Sequence, residues 1–278
     1  MTDLNNQNNK EDRKDGKEHE SDVRFYEYYA QQSLSDESIQ RFIGIRDAVM
    51  RIRKRYVFKE DSLDVADVGC NAGTQSMMWA KDGHIVHGVD INDRLVELAR
   101  ERADKDSLNI DFRVGSATKL PWDNESMDIC LVPELLEHIE DWDSCVSEVI
   151  RVLKPGGAIY ISTSNLLCPR QQEFNLPFYS WYPPFLKKHY EHLSVTSRPE
   201  LANYAKYPAV HWFTFYGLRK RFNRDGLVSF DRFDIMDIEN KSTIARVIVS
   251  FIRRIPLIRF FAHIATPYTV IVAVKNTS

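Results

Sequence analysis

Short β-type runs that alternate with helical segments limit the fold of this sequence more than any other feature. From Leu63 onward, runs such as LDVADVG, HIVHGVD and NIDFRV are separated by segments with helical spacing, and the alternation continues to Thr163. A connection between parallel strands needs a dozen or more residues and is usually a helix, so this alternation predicts a parallel sheet with helices on both faces. The expected fold class is therefore α/β and doubly wound.

The turn after the first of these strands is rich in glycine. Gly69 and Gly73 lie in the run DVGCNAGT, and Asp90 ends the following strand, 21 residues after Gly69. Glycine permits a tight turn and close approach of a ligand to the backbone, and an acid at this distance can accept both hydroxyls of a ribose. The pattern predicts a nucleoside-type ligand in the crevice, although an ordinary strand-to-helix turn can carry the same glycines.

Three further motifs follow in order: VGSATKLPW from Val114, MDICLVPELLEHIED from Met127, and VLKPGGAIYI from Val152. Together the four motifs resemble the class I S-adenosylmethionine-dependent methyltransferases, in particular the methyltransferase type 11 group, which includes the ubiquinone-biosynthesis O-methyltransferases. The resemblance is strong over Leu63–Thr163 and loose in the C-terminal strands. It implies a Rossmann-like, mostly parallel sheet of seven strands with an antiparallel last strand, S-adenosylmethionine as cofactor, and an enzyme that transfers methyl groups.

The resemblance also implies the residues that surround the cofactor. The loop residues would lie under its methionine part, Asp90 would bind the ribose, and the residues after the third and fourth strands would lie beside the adenine and the methyl group. The implied set is Asp67, Gly69, Cys70, Asn71, Gly73, Asp90, Ile91, Ser116, Ala117, Pro133 and Glu134.

Two positions in that set depart from the family pattern. Asn71 stands where the family usually has glycine, and Ser116 stands where an acid commonly binds the adenine amino group. Asparagine tolerates left-handed backbone geometry and serine can still form a hydrogen bond, so binding is expected to survive both changes.

Methyl transfer to a hydroxyl is helped by a base, and His138 is the candidate because it lies just beyond the strand that should face the methyl group. A packing or capping histidine is the competing interpretation. Glu134, Glu137 and His138 also reproduce the E-x-x-E-H spacing of a divalent metal site. We expect no metal, because the same spacing is explained if one glutamate faces solvent and another caps the helix.

Two C-terminal segments each have two interpretations. Residues 164–213 form an aromatic and proline-rich insertion, here called the lid, which either roofs an apolar substrate pocket or forms a small hydrophobic core. The segment Thr243–Ala265 has an apolar face opposite Arg246 and Arg253, and Pro256 breaks or kinks it. It either packs on the sheet or rests on an anionic membrane surface.

Composition and charge narrow the class of protein. The formal charge of −3 comes from residues 1–22, a tail expected to be disordered, whereas residues 240–278 hold six Lys or Arg and no acid. A sequence pI of about 6.3 and the absence of a broad basic surface argue against nucleic acid as substrate. No signal sequence or apolar run of 18 residues occurs, so a cytoplasmic location is expected, with peripheral contact with the inner membrane face as an option.

The expected organisation is a tail (1–22), N-terminal helices (23–62), a cofactor-binding core (63–163), the lid (164–213) and a completion of the sheet (214–278). The expected activity is O-methylation of a small, lipid-linked or glycan-intermediate hydroxyl. Transfer to nitrogen or carbon of another metabolite, or a catalytically silent cofactor-binding regulator, remains open. The four scattered cysteines, without a CxxC pair, are expected to be reduced, with Cys130 and Cys145 in the core.

Overall fold

A twisted sheet with helices on both faces forms the centre of the computed structural model, which describes residues 30–31, 33–56, 62–203, 205, 207–239 and 241–277. Its strands are Asp64–Val68 (β1), Ile85–Asp90 (β2), Ile110–Val114 (β3), Met127–Pro133 (β4), Leu153–Ser164 (β5), Leu227–Asp231 (β6) and Tyr268–Lys275 (β7). In these described ranges the strands form one sheet in the order β3-β2-β1-β4-β5-β7-β6. β7 is antiparallel to both neighbours and the other pairs are parallel. The predicted α/β class and antiparallel last strand are confirmed.

The first helix named below precedes β1, and the others lie between strands. The helices are Asp36–Arg53 (α1), Thr74–Lys81 (α2), Asp93–Lys105 (α3), Trp142–Val152 (α4), Pro184–Thr196 (α5), Phe215–Arg224 (α6), Arg232–Ile235 (α7), Thr243–Arg254 (α8) and Pro256–Ile264 (α9). Side-chain caps fix several helix starts: Asn92 accepts from the Leu95 N–H, and Thr214 accepts from the Gly217 N–H. None of the described helices has the length and apolar character needed to span a membrane.

The core lies on both faces of the sheet because parallel strands are covered by helices on each side. In β1, Val65 packs into one cluster together with α1, whereas Ala66 and Val68 pack into the other with α4 and α6. Cys130 and Cys145 are fully buried in that second cluster as free thiols, as expected.

One C-terminal segment differs from what its sequence predicts. The run LVSFDRFDIMDI predicts a strand, but the strand extends only to Asp231, because the Asp231 carboxylate accepts the Phe233 and Asp234 N–H groups and starts α7. The predicted helix over 243–265 is two helices, with Pro256 at the first position of α9, which agrees with the predicted break. The predicted disordered tail over 1–22 lies outside the described residues.

Candidate functional site

The glycine turn between β1 and α2 is held against the end of β2. The N–H groups of Gly69 and Cys70 both donate to the Val89 carbonyl, at 2.8 and 3.1 Å. Gly69 and Gly73 have φ of +78° and +75°, and a Cβ on Gly73 would lie 2.8 Å from side-chain carbons of Ala99 and Phe112. A larger residue is therefore excluded at Gly73 by both backbone conformation and space.

Asn71 adopts the left-handed conformation that the family pattern assigns to glycine. Its φ is +47°, and its Nδ2 donates to the Gly69 carbonyl at 3.1 Å. Asparagine is among the residues that tolerate this conformation because its short amide can bond locally. Asn71 therefore keeps the left-handed backbone conformation of the turn, and the expectation that cofactor binding survives this residue stays a prediction.

Asp90 joins the glycine turn to the start of α3. Its Oδ2 accepts the Asn71 N–H at 2.9 Å and its Oδ1 accepts the Asn92 N–H at 2.8 Å. Burial raises the pKa of Asp90, and these backbone N–H groups partly offset that rise. Each carboxylate oxygen has a second lone pair, so the pair of oxygens can still accept two hydroxyl groups. The structure thus brings Asp90 to the glycine turn, as a ribose-binding role requires.

Asp67 lies deeper than the predicted place under a methionine chain. Its side chain is buried and accepts from Ser76 Oγ at 2.6 Å and from Gln75 Nε2 at 3.2 Å. Burial raises the pKa of Asp67 to about 6, although the two hydrogen bonds act to lower that pKa. Asp67 therefore fastens the first turn of α2 beneath the loop, and its predicted contact with the cofactor stays a prediction.

The candidate adenine side is formed by the ends of β2 and β3. Ile91 follows Asp90 with 66% of its surface exposed, and the Gly115 N–H donates to the Asp90 carbonyl at 2.9 Å. Ser116 Oγ lies 2.8 Å from Thr118 Oγ1 and accepts the Thr118 N–H, so its hydroxyl stabilises the turn. These residues lie at the same edge of the sheet as the glycine turn, which the predicted adenine site requires.

At the end of β4, Glu134 is held in a left-handed conformation with φ of +50°. Its N–H donates to the Ser162 carbonyl at 2.8 Å, and its carboxylate forms an ion pair with Arg41 of α1. Arg41 is a residue that the sequence analysis missed, because nothing in a helical pattern shows that α1 crosses the carboxyl edge of the sheet.

Glu137 is a fully buried carboxyl group next to this edge. Its Oε2 accepts from Thr163 Oγ1 at 2.9 Å, and its Oε1 has no hydrogen-bond partner among the described residues. Burial, with the nearby charge of Glu173, raises the pKa of Glu137 to about 8. Glu137 is therefore a neutral acid at pH 7. Glu173, which bonds to Ser164 Oγ, is a second residue that spacing alone did not reveal.

His138 completes the short 3₁₀ turn Leu136–His138, and its Nδ1 is buried without a hydrogen-bond partner in the described part of the chain. With Glu134 paired to Arg41 and Glu137 to Thr163, the E-x-x-E-H residues do not form one set of ligands. Within the described residues, no group of three or more His, Cys, Asp or Glu is placed to hold a metal ion.

The lid forms a small hydrophobic core and also lines a cavity, and the predicted role of that cavity as a substrate pocket stays a prediction. Phe174 and Tyr179 are buried and stacked with ring centroids 4.1 Å apart, so they form a small hydrophobic core. Trp181, Tyr182 and Trp212 instead line a cavity of about 630 Å³. The cavity also holds Lys187, His211 and Glu191, and the Lys187 ammonium lies 4.1 Å from the centre of the Trp212 ring.

This cavity adjoins the turn after β4. Val210 and His211, which line it, donate their N–H groups to the Glu137 carbonyl at 2.8 and 3.1 Å. Burial lowers the pKa of Lys187 and raises that of Glu191. The cavity is therefore lined by aromatic rings together with one partly desolvated cation and one partly desolvated acid.

Comparisons with known proteins agree with this geometry. Residues 66–161 match the family model described as a methyltransferase domain. The chain is 35% identical over 117 residues to the ubiquinone biosynthesis O-methyltransferase of Coxiella burnetii, covering 41% of this chain and 50% of that protein. It is 35% identical over 103 residues to the enzyme of the same name from Bartonella bacilliformis, covering 37% and 42%. The chain thus spans about half the length of the curated relatives it matches, or less.

Solved structures show a similar fold over more of the chain. A putative sarcosine dimethylglycine methyltransferase from Galdieria sulphuraria aligns with a TM-score of 0.55 at 15% identity, covering 86% of this chain and 87% of that one. The PH0226 protein from Pyrococcus horikoshii OT3 aligns with a TM-score of 0.53 at 18% identity, covering 90% and 98%. At these identities the likeness shows the fold alone.

Proposed function

We propose that this chain, which carries a class I S-adenosylmethionine-dependent methyltransferase domain with its family match over residues 66–161, transfers a methyl group to an oxygen of a small or lipid-linked acceptor. The observation that carries the proposal is the contact between the glycine turn and Asp90, because it sets a carboxylate with free lone pairs beside a sharply turned backbone. The similarity to ubiquinone biosynthesis O-methyltransferases from two organisms favours oxygen as the methyl acceptor.

The residues of the chain would bind and orient the cofactor. The turn around Gly69 and Gly73 leaves room for close approach, Asp90 accepts the ribose hydroxyls, and Ile91 offers an apolar surface to the adenine. The sulfonium supplies an electrophilic methyl group for in-line displacement. The acceptor oxygen provides the electron pair, and its proton must leave to a base.

His138 is the proposed base. Its Nδ1 is buried without a partner in the described residues, and a buried polar atom of this kind is stabilised by any hydroxyl that reaches it. The turn that holds His138 also carries the lid through the Glu137 carbonyl, so an acceptor in the lid cavity would approach the end of β4. Alignment and exclusion of water supply much of the acceleration in such transfers.

Calorimetric titration with S-adenosylmethionine and its demethylated product tests the proposal. Removing two hydrogen bonds to a charged group costs about 100-fold in affinity, so Asp90→Ala and Asp90→Asn should both weaken binding by at least that much. Asp104→Ala, an exposed acid of α3, is the matched control and should bind as the native chain does. Absence of binding by the native chain would overturn the proposal.

A second arm separates an enzyme from a silent binding protein. A radiolabelled methyl donor should yield a labelled quinol or catechol product, and His138→Ala should suppress that product while cofactor binding stays intact. Binding without any labelled product across hydroxyl, amine and carbon acceptors would support the regulatory alternative. A labelled amine or carbon product would retain the methyltransferase and change the acceptor.

A further inference from the structure

The helices α8 and α9 leave most of their large apolar side chains uncovered. Only Val249 in α8 and His263 in α9 are buried. Ile244, Leu257 and Phe261 are 73%, 66% and 59% exposed. The full exposed set is Ile244, Val247, Ile248, Phe251, Ile255, Leu257, Ile258, Phe260 and Phe261, here called the apolar patch. A soluble monomer rarely leaves a patch of this kind open unless it binds something.

One of the two interpretations of this segment from its sequence, that its apolar face packs on the sheet, is therefore wrong. The opposite face holds the pair in place: Arg253 donates to the Phe233 and Met236 carbonyls at 2.8 and 2.9 Å. In α9, the His263 Nε2 lies 2.8 Å from the buried Asp231 carboxylate, and Arg259 also pairs with that residue. Because the anchoring groups of Arg253, Arg259 and His263 face inward and most of the large apolar groups face outward, the pair is fixed in an orientation that presents the patch.

The charges around the patch identify its occupant. Lys241 and Arg254 are exposed, and Arg254 follows Phe251 by three residues, so it lies beside the apolar face. Arg246 is exposed on the opposite face of α8 and donates to the Lys241 carbonyl. From residue 240 to the end of the chain there is no acid. The nearest exposed acids, Asp237 and Glu239, precede α8. Long basic side chains at the edge of an apolar helix face are the pattern that binds an anionic lipid surface.

A second copy of the chain fits the patch less well. In a two-fold dimer the same surface faces itself, so the bases beside the patch would meet bases and find no acid from this segment to pair with. An anionic bilayer offers both an apolar layer for the patch and phosphate groups for the bases. We propose that α8 and α9 bind the surface of an anionic membrane through the apolar patch.

The position of the apolar patch gives a reason why an enzyme would bind a membrane there. This reason rests on the proposed function. Asn165, just after β5, donates to the His263 and Thr266 carbonyls at 2.8 and 2.7 Å. This fastens the end of α9 to the edge of the sheet that carries Pro133 and Glu134. Tyr216, with its ring centre 6.2 Å from that of Phe260, continues the surface toward α6. A lipid-anchored acceptor could thus reach the site while its tail stays in the bilayer.

Vesicle co-sedimentation of the full chain tests the membrane step. The native chain should sediment with vesicles of phosphatidylcholine and phosphatidylglycerol, and about tenfold less with phosphatidylcholine alone. A Phe251→Ser/Leu257→Ser/Phe261→Ser variant should lose sedimentation with both. Arg254→Glu should reduce sedimentation with the vesicles that contain phosphatidylglycerol and leave sedimentation with phosphatidylcholine alone unchanged. Added salt should have the same effect.

Ile85→Thr is the matched control, because Ile85 is 52% exposed at the start of β2, the opposite edge of the sheet. It should sediment like the native chain. No sedimentation of the native chain, or sedimentation that the triple variant retains, would overturn the proposal. A native dimer that dissociates in the triple variant, without vesicle binding, would assign the patch to a protein partner instead.

Cofactor titration of the same variants keeps the two proposals apart. The patch variants should bind S-adenosylmethionine as the native chain does, so loss of vesicle binding with intact cofactor binding tests the membrane surface alone. Native vesicle binding without cofactor binding would leave the membrane surface standing and remove the proposed function together with the delivery step.

Discussion

The two insertions at the carboxyl edge of the sheet, the lid and the α8–α9 pair, are both rich in large apolar side chains but use them in opposite ways. The lid packs Phe174 and Tyr179 into a core of its own. The α8–α9 pair attaches through Asp231, Arg259 and His263 and leaves its apolar residues on the outside. Composition alone does not separate a small core from a docking surface. The difference lies in which face of the insertion carries the polar anchors.

Removing one aromatic side chain from each insertion should give the greatest difference in stability between the two. Tyr179→Ala should cost about 3–5 kcal/mol in the free energy of unfolding, because it empties a fully buried aromatic site. Phe251→Ala should change that free energy by less than about 0.5 kcal/mol, because Phe251 is exposed on a helix. Urea denaturation measures both. A loss below about 1 kcal/mol for Tyr179→Ala would show that the lid core contributes little to the global fold, and the comparison would fail.

The next effect concerns the charged anchor of the α8–α9 pair. Burial alone would raise the pKa of Asp231, but the hydrogen bonds from His263 and Arg259 outweigh it and hold the pKa at about 2. A lowered pKa means that the carboxylate stabilises the fold above about pH 4 and that this stability is lost as the pH falls toward 2. Asp231→Asn should cost about 3 kcal/mol at pH 7, because it removes the buried anion to which Arg259 and the His263 ring bond.

The control for that substitution is Asp237→Asn, which removes an exposed acid 3.8 Å from Arg51. An exposed pair contributes little, so its free energy of unfolding should stay within about 0.5 kcal/mol of the native value. Urea denaturation from pH 7 down to pH 3 measures both variants. Equal losses in the two variants would contradict a special role for the buried anchor.

Measured over a single pH unit, the weakest change is a slope of stability with pH at the turn that carries the lid. With a pKa of about 8, Glu137 keeps its proton in the folded state over a range in which an unfolded glutamate has lost it. The folded state then binds more protons, so this residue makes stability fall as the pH rises from about 4.5 to 8, by up to about 1.4 kcal/mol per pH unit. Glu137→Gln should remove that slope, as measured by urea denaturation at several pH values.

Glu101→Gln, an exposed change in α3, is the matched control and should keep the native slope. If Glu137→Gln also kept it, the carboxyl group would be ionised in the folded state. The lid would then be attached to a charged turn rather than a neutral one, and the contrast with the Asp231 anchor would disappear.

Part of the site could be predicted from the sequence because neighbours along the chain carry it. The glycine turn, Asn71 in its left-handed conformation and Asp90 at the end of β2 follow from backbone limits and strand spacing. The residues that the sequence missed come from distant elements: Arg41 pairs with Glu134 across 93 positions, and Lys187 reaches the lid cavity from α5. The pattern of neighbouring residues in the sequence does not predict contacts between residues so far apart.

The order of strands and helices, the turn at Gly69 and Gly73 and the break at Pro256 can all be predicted from the amino-acid sequence, because they depend on local backbone freedom and hydrophobic period. Which apolar residues are buried follows from the folded arrangement instead. Phe174 and Phe251 are equally hydrophobic side chains, yet one is enclosed and the other is exposed. The physical reason is that burial depends on which surfaces remain after the polar anchors have fixed each element, and those anchors join residues far apart in the chain.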